Sequence, residues 1–315
     1  MRFYQRAGLI LGYEGIRGLC RHIMPRLFAR KLPPASLNPQ ERLDYERLVK
    51  DFNEKAVKLG YEDPTNYYWY HTIDLGNGLV TPGEYDYRSK IAQFNFPADM
   101  KGMNVLDIGS ATGFFAFEFE KRGANVVSVE LPSVADWDMP TGETRDTTLK
   151  ALMDHFRVSS IEALTHRELH GPFEFCRKAL NSNVKRCYST IYDLTQEKLG
   201  VDGFDLVFIG DVLIHIFSPL KALATVAPLC RGTLILAQDI ANVYEDRVPV
   251  MQLYMGGDDL HGRGSVRSWW TPNKLCVDQM LKRVGFKTVS VAGHHTGTAR
   301  SEGFSWSRTV IHATK

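Results

Sequence analysis

The apolar and polar positions divide this chain into two regimes, one irregular up to about residue 95 and one rhythmic beyond it. In the first, Ile16, Leu19, Ile23, Met24, Leu27 and Phe28 recur at helical spacing, which predicts an amphipathic helix within residues 1–31. Pro33-Pro34 ends that segment, and a polar helix is expected over 39–59. Residues 66–81 place aromatic and β-branched residues on both sides of Gly76-Asn77-Gly78, a β-hairpin pattern. Residues 84–94 are expected to form a helix leading into the second regime.

From Asn104 onward, short apolar runs alternate with helical stretches. Strands are expected at 104–108, 125–129, 184–189, 204–209 and 233–238, with two more near 288–291 and 309–314. This alternation predicts an α/β domain with a doubly wound parallel sheet over 96–315, preceded by a helical and hairpin extension over 1–95. Two insertions interrupt the rhythm. The first, near 133–180, should hold two helices, one of them over 172–180. The second, near 241–270, is rich in Gly, Pro and polar residues and should lie over the strand ends as a loop or lid. Thr271-Pro272 reads as a helix start, Thr as N-cap and Pro at the first position, with the end at Gly285.

A net charge of +2 over 315 residues gives no overall field toward nucleic acid. Basic character is local: Arg2, Arg6, Arg17, Arg21, Arg26, Arg30 and Lys31 stand against Glu14 in the first predicted helix. That helix is expected to dock on the main domain with its basic face in solvent, and RNA or a membrane surface is the alternative contact. The five cysteines lack CxxC spacing, so neither a disulfide framework nor a zinc knuckle is expected. No run approaches the about 18 apolar residues of a membrane span, and Leu9–Leu11 is too short for a secretory core. A cytoplasmic protein with reduced thiols is the expectation.

The densest chemical signal is Val105-Leu106-Asp107-Ile108-Gly109-Ser110-Ala111-Thr112-Gly113, a strand running through a Gly-rich turn into a helix. Gly109 and Gly113 permit close backbone approach to a ligand, and the helix start offers free N–H groups. Asp107 is placed to orient a cationic amine. The next strand ends at Glu130, where a carboxylate can accept both hydroxyl protons of a ribose. After the third strand, Asp193 can accept an adenine amino proton while Ile191 or Tyr192 packs on the ring. Gly210, ending the fourth strand, completes the expected cofactor set. The turn departs from the GxGxxG of dinucleotide sites. An acid behind it would repel a pyrophosphate and attract a sulfonium amino acid.

These motifs, with Phe204-Asp205-Leu206-Val207 and Leu213-Ile214-His215, resemble class I S-adenosylmethionine-dependent methyltransferases over about 101–315. The resemblance implies S-adenosyl-L-methionine as cofactor and a Rossmann-like seven-stranded sheet with an antiparallel last strand, which 308–314 fits. Further N-terminal, Trp69 to Lys90 resembles the tRNA wobble-uridine carboxymethyltransferases and the methyltransferases grouped with them. That likeness implies cofactor contacts from Tyr85 and Lys90, and Arg308 matches a late arginine. It also implies a lysine and a tyrosine for the additional carboxylate of a carboxylated cofactor. This chain has His71 and Ile214 there, so the plain cofactor is expected.

For the acceptor chemistry His215 is the leading base, because an imidazole titrates near neutrality. His71 is second, and Asp211 and Asp239 could orient either one. Structural histidines and helix-capping carboxylates are the competing readings. Asp258, Asp259 and His261 lack further ligands, so no metal is expected. Trp269-Trp270 and Trp69-Tyr70 could wall an acceptor pocket, whereas Phe114, Phe115, Phe117 and Phe119 read as core. The resulting expectation is O-methylation of a small-molecule or glycan-like acceptor. The alternatives are a tRNA wobble-uridine modifier, a noncatalytic adenosine-binding module and, more distantly, a dehydrogenase.

Overall fold

The computed structural model describes residues 39–61, 67–241, 247–253, 267–300 and 305–315. The chain divides into two compact units, Met1–Ser36 and Leu37–Lys315, and the described residues all belong to the second. The predicted basic helix and the Asp258-Asp259-His261 group lie outside the described residues, as does most of the second insertion.

Helix α1 spans Pro39–Lys58. The α/β alternation then begins with β1 (Asn104–Ile108), α2 (Phe114–Lys121) and β2 (Asn125–Glu130). The first insertion contributes α3 (Glu143–Phe156), α4 (Ile161–Thr165), a π turn (His166–His170) and α5 (Gly171–Ala179). Next come β3 (Lys185–Tyr188), α6 (Gln196–Leu199), β4 (Phe204–Gly210), α7 (Pro219–Val226) and β5 (Cys230–Gln238). A small ribbon of β6 (Met251–Leu253) and β7 (Trp270–Pro272) precedes α8 (Lys274–Arg283), β8 (Thr288–Thr298) and β9 (Ser305–Thr314).

The main sheet has seven strands in the order β3-β2-β1-β4-β5-β9-β8. Its first five strands are parallel, and β9 runs antiparallel to both β5 and β8. Alternate residues feed opposite cores. Val105, Phe208, Ile235 and Val310 join Phe115 and Phe119 on one face. Leu106, Ile108, Val207, Ile209 and Leu236 pack with Leu223 and Leu281 on the other. Covering both faces is what turns β1 and β4 into nearly unbroken apolar runs. The strand order reverses beside β1, and the carboxyl ends of β1 and β4 open the crevice where α/β sheets bind ligands. Among the described residues no helix is long and apolar enough to cross a membrane.

Phe52, Trp69, Leu79 and Phe94 share the first core with Val105 and Phe115, so residues 39–95 fold as part of the sheet unit rather than as a separate extension. The expected hairpin is reduced to its turn. Leu79 N–H donates to Gly76 O, Leu75 N–H to Leu79 O, and a single bridge joins Asp74 to Val80. The aromatic arm pairs elsewhere: Glu84 N–H bonds Trp69 O, Tyr85 N–H bonds Tyr70 O, and Thr72 N–H bonds Tyr85 O. Those bonds hold residues 84–85 extended, and Asp86 turns the chain by accepting from Arg88 N–H. The helix expected over 84–94 therefore shrinks to a 3-10 turn at Ile91–Phe94.

The helix expected from Thr271-Pro272 starts two residues later. Trp270–Pro272 is held extended against Met251–Leu253, and Asn273 becomes the N-cap by accepting from Cys276 N–H at 2.9 Å. The helix expected at 172–180 begins earlier, at Ile161, with a π turn before Pro172. Pro172 lacks an N–H and would crowd a carbonyl one turn back; the wider turn relieves this.

Gly113 caps α2 at φ +91, and a Cβ there would lie 2.7 Å from atoms of Phe117 and Phe173. Strain and overpacking add. Gly113→Ala is expected to destabilise the protein by at least about 2 kcal/mol, read as a lower urea midpoint with unchanged slope.

Candidate active site

The turn after β1 carries three left-handed residues, Gly109 (φ +73), Ala111 (φ +46) and Gly113 (φ +91). It is tied to β2, with Gly109 and Ser110 N–H both donating to Val129 O. Beneath it lies Arg186 of β3. Its guanidinium donates to Ser128 Oγ at 2.8 Å and to Ser110 Oγ, reaches the carbonyls of Ala111 and Leu169, and stacks 4.0 Å over the Phe173 ring. Sequence reasoning missed Arg186; an arginine inside a strand expected to be apolar was the available signal.

Glu130 ends β2 buried, with Oε2 accepting from Ala111 N–H at 2.8 Å and Oε1 from Leu131 N–H at 2.9 Å. The two bonds fix its carboxylate at the crevice. Asp107 is 1% exposed, and its Oδ2 has no partner among the described residues. Burial pushes its carboxyl up to about 7 against the opposing pull of Arg186. An unpaired buried carboxylate is costly, so the site fits a ligand that brings an ammonium group there.

These groups open into a chamber of about 950 Å³. Tyr85, Asp107, Gly109, Glu130, Tyr192 and Gly210 of the expected cofactor set line it; Lys90, Gly113 and Asp193 do not. Lys90 Nζ donates to Thr296 O, and Asp193 Oδ2 accepts from Thr190 Oγ1 at 2.5 Å. The two turn glycines serve packing as well: a Cβ on Gly109 would meet Val212 Cγ2 at 2.5 Å. Tyr192 is held by its hydroxyl, which donates to Asp138 Oδ2 and accepts from Ser218 N–H. Asp138, in the first insertion, also accepts from Phe217 N–H and, through its carbonyl, from Trp269 Nε1. It thereby joins the insertion to the segments after β4 and before β7.

His71, His215 and Asp211 all line the same chamber. His71 is buried among the rings of Tyr70, Tyr87, Phe114 and Phe115, its Nδ1 has no partner among the described residues, and burial pushes it down to about 3. His215 Nδ1 donates to Arg267 O at 2.6 Å, which leaves Nε2 as an acceptor. Its ring is open to the chamber, yet the surrounding protein pushes it down to about 4. Asp211 sits at φ +53, and its Oδ1 accepts from Arg308 Nε. Burial raises its carboxyl despite that arginine.

Of the expected aromatic walls only Tyr70 lines the chamber; Trp69 packs on Phe52 and Phe175, and Trp137 and Trp306 take the wall positions. Two further lining residues escaped the sequence reading. His295 of β8 is buried, its two ring nitrogens have no partner among the described residues, and it lies 4.4 Å from Phe94, centroid to centroid. Glu168 sits on the π turn, and burial pushes its carboxyl up to about 7. No group of three or more His, Cys, Asp or Glu able to hold a metal occurs among the described residues.

A family model described as a methyltransferase domain matches residues 83–291. The chain belongs to that methyltransferase-domain family. A tRNA U34 carboxymethyltransferase from Idiomarina loihiensis is 26% identical over 200 residues, covering 63% of this chain and 50% of the relative. The chain thus matches about half the length of that relative. The N-terminal domain of EvdMO1, solved in the presence of S-adenosylhomocysteine and D-fucose, is similar at 14% identity, with 88% and 99% of the two chains covered and a TM-score of 0.49. Magnesium protoporphyrin IX methyltransferase from Synechocystis, with bound S-adenosylhomocysteine, is similar at 15% identity, 69% and 75% coverage and a TM-score of 0.41.

An ammonium favours the ionised form of Asp107, so S-adenosylhomocysteine affinity is expected to rise as pH increases through about 7. Asp107→Asn should flatten that rise, and Glu130→Gln should weaken binding at all pH values, each by about tenfold at pH 8. Calorimetric titration across pH checks both.

Proposed function

We propose that this chain transfers the methyl group of S-adenosylmethionine to a hydroxyl oxygen of a small-molecule or glycan-like acceptor. The observation that carries the reading is the chamber itself, which joins the Asp107–Glu130 crevice to walls of tyrosine, tryptophan and histidine rings. About 950 Å³ lies at the upper end of small-molecule sites, roughly 300–1,000 Å³. That volume suits a nucleoside and a small acceptor side by side.

S-adenosylmethionine supplies an electrophilic methyl group on a sulfonium, and the protein's task is alignment and exclusion of water. Asp107 would receive the ammonium, Glu130 the ribose hydroxyls, and Ile191 and Tyr192 the adenine face. His215 Nε2 and the neutral His71 ring would accept hydrogen bonds from the acceptor side. Both imidazoles are held far below neutrality, which suits them to orienting a hydroxyl while remaining uncharged.

A tRNA wobble-uridine modifier remains the second reading, favoured by the relative at 26% identity. Against its carboxylated cofactor stand His71 and Ile214. Both line the chamber, one a neutral ring and one apolar, at the positions that would need a cation and a hydroxyl. A carboxylate placed between them would be poorly paired. Calorimetry is expected to show S-adenosylmethionine binding at least about tenfold more tightly than its carboxylated analogue. The reverse order, together with steeply salt-dependent tRNA binding, would select the tRNA reading.

A further inference from the structure

With His71 pushed down to about 3 and His215 to about 4, neither imidazole holds a proton well near neutral pH. A hydroxyl that is methylated must lose one. Glu168, buried on the π turn, lines the chamber. The groups acting on it are the Arg267 guanidinium and the Tyr68 phenol, both wall residues. Tyr68 is fastened to the same turn, its N–H donating to Arg167 O at 3.0 Å. Arg267 is fastened to His215 through its carbonyl. Glu168, Tyr68, Arg267 and His215 therefore border one part of the chamber. Neither Asp107 nor Glu130 acts on Glu168.

The π turn is the local reason for this placement. Gly171 N–H reaches back to His166 O, and the extra residue per turn lets Glu168 and Leu169 both face inward. A carboxyl buried there, in a helix that could have carried a leucine, is a cost that a ligand can offset.

We propose that Glu168 is the catalytic base, and that it takes the proton of a phenol-type acceptor hydroxyl as the oxygen is methylated. The hydroxyl oxygen forms the bond to the methyl carbon, and the carbon–sulfur bond breaks with its electron pair passing to sulfur. The hydroxyl proton passes to the Glu168 carboxylate, leaving S-adenosylhomocysteine and the methyl ether. Proton transfer works best between groups of similar pKa. A carboxyl pushed to about 7 is closer to a phenol, near about 10, than to a sugar hydroxyl. The rings of Tyr68, Tyr70, Tyr85 and Trp137 offer faces for a planar acceptor. The proposal rests on the O-methylation reading above.

The test uses the full chain, wild type and Glu168→Gln, with para-nitrophenol as the absorbance probe and para-cresol as the methyl acceptor. S-adenosylhomocysteine should bind both proteins equally, which establishes that the variant is folded and its cofactor crevice intact. In that complex, bound para-nitrophenol should show phenolate absorbance at higher pH in the wild type than in the variant, because an ionised carboxylate beside it disfavours the phenolate. Methyl transfer to para-cresol, whose hydroxyl stays protonated near neutrality, followed as S-adenosylhomocysteine formed, should rise with pH through about 7 in the wild type. In Glu168→Gln kcat should fall by about 100-fold and that rise should vanish, with KM little changed. A variant matching the wild type in both absorbance and pH profile overturns Glu168 as the base while leaving O-methylation standing. A wild type that binds cofactor but methylates simple amines and no phenol overturns both readings.

Discussion

One part-buried guanidinium holds the cofactor crevice in shape. Arg186 reaches from β3 under the first Gly-rich turn, bonds the serines of β1's turn and of β2, and supports the Ala111 carbonyl while Glu130 takes the Ala111 N–H. A turn with three left-handed residues has little regular hydrogen bonding of its own. Here it is fixed from both sides by a cation and an anion. The same cation interacts with both Asp107 and Glu130, and it opposes the burial that raises the Asp107 carboxyl. Its stacking on Phe173 connects the arrangement to the first insertion.

The acceptor half of the chamber is assembled from the segment 67–85, the first insertion, the segment before β7 and the β8–β9 pair. Its polar groups are held away from their ordinary charge states in a consistent direction. His71, His215 and His295 are kept neutral, and Glu168, like Asp107 in the cofactor crevice, is pushed toward the protonated form. Burial is the first cause in every case. The opposed charges are few, and Asp211 with Arg308 is an ion pair within the chamber wall. A wall of this kind presents donors and acceptors with little net charge, which suits a displacement in which a sulfonium loses its charge.

The sheet and the Asp107–Glu130 crevice were legible because their signals are local. An apolar strand followed by Gly109 and Gly113, then a strand ending in Glu130, can be read along a few dozen residues. Lys90, expected from family resemblance, and Asp193, expected from its place after the third strand, stand away from the chamber walls, engaged by Thr296 and Thr190. Arg186, Asp138, Glu168 and His295 were not singled out. Each draws its role from partners far away in the chain, as Asp138 does from Tyr192 and Trp269.

The sequence by itself determined the α/β rhythm, the turn after β1 and the carboxylates that flank it, because periodicity and short motifs act over neighbouring residues. Tertiary structure alone decided that residues 84–85 stay extended and that helical winding is confined to a 3-10 turn at Ile91–Phe94, since pairing with 69–72 takes up the backbone groups of 84 and 85. It also decided which histidines remain neutral and which acids are pushed toward the protonated form. Those outcomes depend on burial and on the distance to charges contributed by other segments, quantities that no local pattern encodes.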